Sequence, residues 1–190
     1  KEQYLINARI INPINDTDEV GGLIIDDQGK IKASGRKVTN QNVPTSAEKV
    51  DLKEKIIIPG LVDMRVFVGE PGFEYKENFR TLSEAAIAGG VTSAVLMPNT
   101  HPVIDNVSMV DFLKRRGRDK SKINIYPTAS LTKNTNGAEM TEFGLLMKKG
   151  IIAFTDGIKT VQNPQVMARI MNYASQCNSL VMQHPEDAFL

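Results

Sequence analysis

The sequence is poor in the residues that build covalent or metal-bound scaffolds. Cys177 is the only cysteine in 190 residues, so the chain can form neither an internal disulfide nor a thiolate zinc cage, and a reducing, cytoplasmic compartment fits. His101 and His184 are the only histidines, which excludes any site that needs three or four imidazoles from this chain. An excess of either charge is also missing. Twenty-three basic residues face 22 acidic ones for a net charge of +1, so no global field draws the protein to nucleic acid or to an anionic membrane. No stretch approaches roughly 18 unbroken apolar residues, and the opening KEQYLINARI lacks the basic-then-apolar order of a signal peptide. Neither export nor membrane insertion is expected. Gly89-Gly90 is not followed by the Gly-Lys-Ser/Thr ending of a phosphate loop, and no Gly-x-Ser-x-Gly elbow occurs. What is present, 41% apolar and 24% charged residues, is the composition of a soluble globular protein.

Residues 1–55 read as a small β domain. YLINARII and GLIIDDQGKIKASG are strand runs, with Gly29 placed as a hairpin residue, and the polar stretch GRKVTNQNVPTSAE should be an exposed connection. Residues 56–190 change texture. IIIPGLVDMRVFV, VTSAVLM, INIYPTA, IIAFTD and SLVMQH are apolar throughout, as expected for parallel strands covered on both faces. Four helices alternate with them. The first is expected from about Glu77 to Ala88 with Phe79, Leu82 and Ala86 inward, stopped by Gly89-Gly90. The second begins near Asn106, buries Met109, Val110 and Leu113, and ends in the cationic KRRGRDK, whose Lys114, Arg115, Arg116 and Arg118 suit a solvated helix end. The third is expected from Glu139 to Lys149, with Met140, Phe143 and Met147 on one face. In the fourth, Asn163 caps, Pro164 takes the first turn, and Val166, Met167, Ile170, Met171 and Ala174 form the stripe.

Five strands alternating with four helices form βα units, in either an open doubly wound sheet or a (β/α)8 barrel. A complete barrel takes about 250 residues, so about five of eight units fit here, and a barrel domain truncated at its C-terminus is expected. In both architectures chemistry gathers where strands end. Asp63 to Gly72, Met97 to Thr100, Phe154 to Gly157 and His184 to Asp187 therefore share one rim.

These residues carry a resemblance. PGLVDMRVFVGEPG, followed by KENF, AAIAGGVT and MPNTHPVID, and later by FTDG and HPED, resembles the dihydroorotase branch of the amidohydrolase superfamily over nearly the whole chain. The family interconverts carbamoyl aspartate and dihydroorotate in pyrimidine biosynthesis. The resemblance implies a (β/α)8 TIM barrel preceded by a small β-sandwich. It also implies a His-x-His zinc pair at the end of the first strand, with an arginine two residues on that holds the substrate carboxylate. Here Arg65, Phe67 and Gly69 stand at those positions. Neither a guanidinium nor a phenyl ring offers an imidazole lone pair, and the guanidinium repels a metal. Asp156 and His184 match residual metal positions, and Asn99 matches a substrate-binding asparagine. Ordinary structural readings stand beside these: a turn pair for Asp156-Gly157, a loop residue for His184, a brace for Asn99. His101 is expected to be an exposed loop residue.

The resemblance therefore points to a dihydroorotase-like pseudoenzyme that has lost or impaired hydrolysis, holds at most one zinc or none, forms a homo-oligomer and supports aspartate carbamoyltransferase. Two alternatives stand: an active cyclic amidase with a one-metal site, and a non-catalytic small-molecule binding module. No catalytic residue is assignable within the chain. Arg65 is expected to pair with Asp156, or failing that with Glu186 or Asp187, supplying the positive charge that a metal would have given.

Overall fold

The computed structural model describes residues 1–187, and the chain divides into two compact units, Lys1–Pro59 and Gly60–Leu190. In the first unit β1 (Gln3–Asn12), β2 (Thr17–Ile25) and β3 (Ile31–Gly35) run antiparallel in sequence order. The turn between β2 and β3 is tied by the Asp26 carboxylate, which accepts from the amides of Gln28 and Lys30, while Gly29 takes the left-handed φ of +78°. Alternate residues of β1 point inward, so Tyr4, Ile6 and Val38 make a small core.

Two strands of this unit are not legible in the sequence. β4 (Glu48–Asp51) and β5 (Ile56–Ile57) both pair parallel with β1. The polar stretch before β4 is accordingly not a simple exposed connection, because it buries Val38 and holds a 3-10 turn at Asn40–Asn42. The pairing of Ile56–Ile57 also moves the domain boundary from 55/56 to 59/60. The first barrel strand thus starts later than expected, beyond Pro59-Gly60.

The second unit repeats strand and helix. Its strands are β6 (Leu61–Val66), β7 (Val91–Leu96), β8 (Asn124–Pro127), β9 (Ala153–Phe154) and β10 (Leu180–Val181). They lie parallel in sequence order, with an Ala129–Phe154 bridge joining the β8 and β9 segments. α1 (Phe79–Ala88), α2 (Val107–Lys120), α3 (Phe143–Lys148) and α4 (Pro164–Cys177) alternate with them. Three of these helices start on an asparagine: Asn78, Asn106 and Asn163 each accept first-turn amides, and Asn78 with Thr81 completes a reciprocal capping box. Their inward stripes, including Phe79, Leu82, Val110, Leu113, Val166 and Ile170, converge on one core, and the rings of Phe143 and Phe154 stack at 3.7 Å within it.

Three expectations need correction. β6 is not covered on both faces: Leu61, Val62 and Met64 are each about half exposed or more, and among the described residues β7 is its only strand partner. The described strands form an open arc. α3 is short, because residues 139–142 are drawn into extended pairing with the loop after β8, through a Thr132–Met140 bridge and a Thr141 amide bond to the Leu131 carbonyl. Arg116 is not simply solvated. Its Nε donates to Glu70 Oε1 at 2.6 Å, and Glu70 is 2% exposed and also accepts from the Phe79 amide. The loop after β6 is thereby pinned to α2 and to the start of α1. No described helix is long and apolar enough to cross a membrane.

Removing one partner strands the other charge in the interior. Arg116→Met should destabilise by about 2 kcal/mol, whereas the exposed Arg115→Ala should stay within about 0.5 kcal/mol of the parent. Urea denaturation of both variants reads the difference.

Candidate functional site

Parallel strands bring their C-terminal ends to one rim, and a cavity of about 290 Å³ opens there, lined by Met64, Arg65, Met97, Met182, Gln183 and His184 among others. Arg65 and His184, 119 residues apart in sequence, are thus brought to one cavity by β6 and β10. The wall is otherwise mainly apolar, owing to the three methionines. Gln183 adds an unusual feature: its Oε1 is buried without a hydrogen-bond partner among the described residues.

Asp156 follows β9 and is 1% exposed, but its carboxylate does not line this cavity. Thr132 holds it from the loop after β8, donating its amide to Oδ1 at 3.0 Å and its hydroxyl to Oδ2 at 2.6 Å. The same hydroxyl accepts from the Gly137 amide at 2.9 Å. Burial pushes the Asp156 carboxyl above the ordinary aspartate range, while the Thr132 hydroxyl and the Thr132 and Leu131 amides pull the other way. The expected Arg65–Asp156 pair is therefore not formed. Hydrogen bonds from the neighbouring loop stabilise the carboxylate instead. Glu186 does not replace Asp156 as a partner for Arg65, since its Oε2 lies 3.2 Å from His184 Nε2.

Asn99, at the end of the β7 segment, donates through Nδ2 to the backbone carbonyl of Asp156 at 3.2 Å. Its Oδ1 occupies the place a Cβ on Gly157 would take, only 1.7 Å away, and Gly157 has a φ of +68°. Asn99 and Asp156 are thus brought together through the backbone, as a brace between two strand ends. Phe67 is 40% exposed and packs at 6.1 Å from the ring of Phe73, which lies 6.5 Å from that of His101. His101 therefore belongs to an aromatic group on the loops after β6 and β7, although its side chain remains exposed. Gly69 is more than a trimmed side chain. With φ at +74°, a Cβ there would stand 2.8 Å from the Glu77 carbonyl oxygen and 2.9 Å from that of Phe73.

The donors present do not fit a zinc ion. Each Asp156 oxygen accepts a hydrogen bond from Thr132, the His184 ring faces Glu186, the cationic Arg65 lines the same cavity, and no group of three or more His, Cys, Asp or Glu side chains among the described residues could hold a metal. Sequence reasoning missed Thr132 and Gln183. Thr132 sits in a threonine-rich loop where nothing in the sequence marks it above its neighbours, and Gln183 shows itself only through its burial.

Comparison with known proteins places this geometry. The family profile described as dihydro-orotase-like matches residues 54–190. The chain is 40% identical over 183 residues to a dihydroorotase of Syntrophus aciditrophicus (strain SB), covering 96% of this chain and 42% of that protein. It is 39% identical over 184 residues to a dihydroorotase of Pelobacter propionicus (strain DSM 2379 / NBRC 103807 / OttBd1), with 97% and 42% covered. Among solved structures, the L-hydantoinase (dihydropyrimidinase) from Arthrobacter aurescens superposes with a TM-score of 0.78 at 20% identity, covering 97% of this chain and 41% of that one. A dihydroorotase crystal structure gives 0.64 at 14% identity, with 98% and 51% covered. The fold is that of an amidohydrolase-type barrel, and the chain spans about 42% of the length of these curated relatives.

Gly69→Ala tests the loop geometry. Left-handed φ and the two close carbonyls should cost about 1–3 kcal/mol, measured by urea denaturation, and a neutral result would show that the loop adapts.

Proposed function

The chain belongs to the dihydroorotase-like family, and from that premise we propose that it serves pyrimidine biosynthesis without hydrolysing dihydroorotate, as a cytoplasmic, homo-oligomeric support for aspartate carbamoyltransferase. The observation that carries the loss of hydrolysis is the pair of Thr132 hydrogen bonds on Asp156. They orient toward the protein's own backbone and hydroxyl the aspartate that the resemblance assigns to a metal. Arg65 and Phe67 add a fixed cation and an apolar ring where the family has imidazoles. Hydrolysis of a ring amide needs an activated water and a positioned substrate, each worth several kcal/mol. The rim has no described donor set that generates the first, and Gly69 supplies no guanidinium for the second. The support role rests on the resemblance, which points to members lacking metal ligands that associate with the carbamoyltransferase.

A second reading is favoured by one observation. His184 stands at the strand-end cavity, so in a cyclic amidase with one zinc it would be a ligand, with Asp156 joining it only if the Thr132 bonds were given up.

Purification of the full natural chain without chelator, followed by elemental analysis and a dihydroorotate hydrolysis assay, separates these readings. At most one zinc per chain and no turnover above the uncatalysed rate are expected. Two zinc ions with turnover would overturn the proposal, and one zinc with turnover would establish the amidase. Sedimentation with aspartate carbamoyltransferase should give a joint boundary at micromolar concentrations; independent migration would remove the support role.

A further inference from the structure

We propose that Asn136-Gly137 is a modification site, at which the backbone itself converts an asparagine to isoaspartate, and that the hydrogen bond from Gly137 to Thr132 sets its rate. The proposal concerns the loop after β8 and does not depend on whether the rim hydrolyses a substrate. Asn136 and Gly137 form the only Asn-Gly pair in the sequence. A glycine leaves the attacking nitrogen without a Cβ beside it, and a Cβ built on Gly137 would meet no atom within 4 Å, so the space for ring closure is open. Asn136 is exposed, so water reaches it, and its Oδ1 accepts from the Ala138 amide at 3.0 Å, which keeps the side-chain carbonyl against its own backbone. The segment is also strained. Asn134 and Thr135 both take left-handed φ values, +53° and +51°, and strain of this kind favours local opening.

The chemistry needs only water. The Gly137 nitrogen gives up its proton to solvent and attacks Asn136 Cγ; a C–N bond forms, and the side-chain nitrogen takes up a proton from solvent and leaves as ammonia. Water then opens the succinimide at Cγ, giving aspartate, or at the main-chain carbonyl, giving isoaspartate, in which the chain runs on through the side chain. Asparagine and one water thus become a carboxylate and one ammonia. In the folded loop the attacking nitrogen is engaged. Gly137 N–H donates to Thr132 Oγ1 at 2.9 Å, and the same hydroxyl donates to Asp156 Oδ2 at 2.6 Å. Attack therefore requires the first of these bonds to open. The succinimide nitrogen carries no hydrogen, so ring closure removes the donor outright, and the added main-chain atom of isoaspartate displaces it afterwards. A change at an exposed loop position is thereby transmitted to the clamp on a buried carboxylate.

Peptide mapping by mass spectrometry over time, on the full natural chain at neutral pH, tests this, with isoaspartyl methylation separating the two products. Conversion should appear at Asn136 ahead of every other asparagine and run at least about tenfold slower in the folded protein than in urea. Thr132→Val, which deletes the acceptor, should speed it by about 3- to 10-fold, and Thr132→Ser, which keeps the hydroxyl, should match the parent. The parent alone decides the matter if the valine variant folds poorly: protection of its Gly137 amide from hydrogen exchange should equal the slowing of conversion within about threefold. In the isoaspartyl fraction the Thr132 amide should exchange faster than in the parent, whereas Asn136→Asp, which keeps an acceptor for Ala138, should leave it unchanged. Equal rates in folded and unfolded protein, no conversion of the folded chain once the unfolded one is fully converted, or a Thr132→Val rate equal to the parent's would each overturn the proposal. Gly137 protection that departs from the slowing of conversion would overturn it as well, and parent-like exchange of the Thr132 amide in the isoaspartyl fraction would overturn the link to Asp156. Neither zinc nor turnover is read, so the proposal can fail while the non-hydrolytic reading stands.

Discussion

A carboxylate buried at the end of a strand imposes its requirements on everything around it. An ionised group cut off from water must be hydrogen-bonded or paired, and Asp156, 1% exposed, meets that demand chiefly through Thr132, which gives it both an amide and a hydroxyl. To deliver both, the loop after β8 has to turn sharply. The Gly137 amide then completes the hydroxyl's bonding, and residues 139–142 run back along residues 130–133 in extended pairing. That pairing shortens α3. One buried charge therefore shapes the loop, the helix that follows it and, through the Asn99 bond to its own carbonyl, the spacing between the β7 and β9 ends.

The same bonds decide the electrostatics of the rim. A strand-end cavity with free carboxylates and imidazoles would attract a divalent cation. Here the aspartate is turned into the protein, the histidine faces a glutamate, and the group with permanent charge on the cavity wall is a guanidinium. Fold and site chemistry separate cleanly in this chain.

The parts legible in the sequence are those fixed locally. α1, α2 and α4 announce themselves through asparagine caps, a proline in the first turn of α4 and stripes at helical spacing, and each is found within two residues of its expected start. The parts that were not legible depend on distant partners. β4 is EKVD, polar and four residues long, and is a strand only because β1 offers it an edge. Ile56–Ile57 run on in sequence toward Leu61, yet they pair with β1, so continuity of apolar residues concealed the break at Pro59-Gly60. In the site, Arg65 and His184 could be brought to one rim by counting strands. The bonds on Asp156 could not, because a threonine 24 residues away leaves no periodic trace.

The loop after β6 shows how a site can change while its frame is kept. Glu70 is buried, paired with Arg116 and bonded to the Phe79 amide, and the Phe73 amide closes a turn on the Gly69 carbonyl at 2.6 Å. These contacts hold the loop on α1 and α2, and they also put the Gly69 backbone where carbonyls crowd any side chain. The resemblance puts an arginine at that position, and this chain has one four residues earlier, inside β6. The guanidinium is carried by β6, where the Arg65 amide donates to the Asp63 carboxylate at 3.0 Å at a shift in the β6–β7 register. The loop is then free to tighten around Glu70 without disturbing the cation. Its left-handed glycine is compatible with a charged rim because the charge has moved onto the sheet.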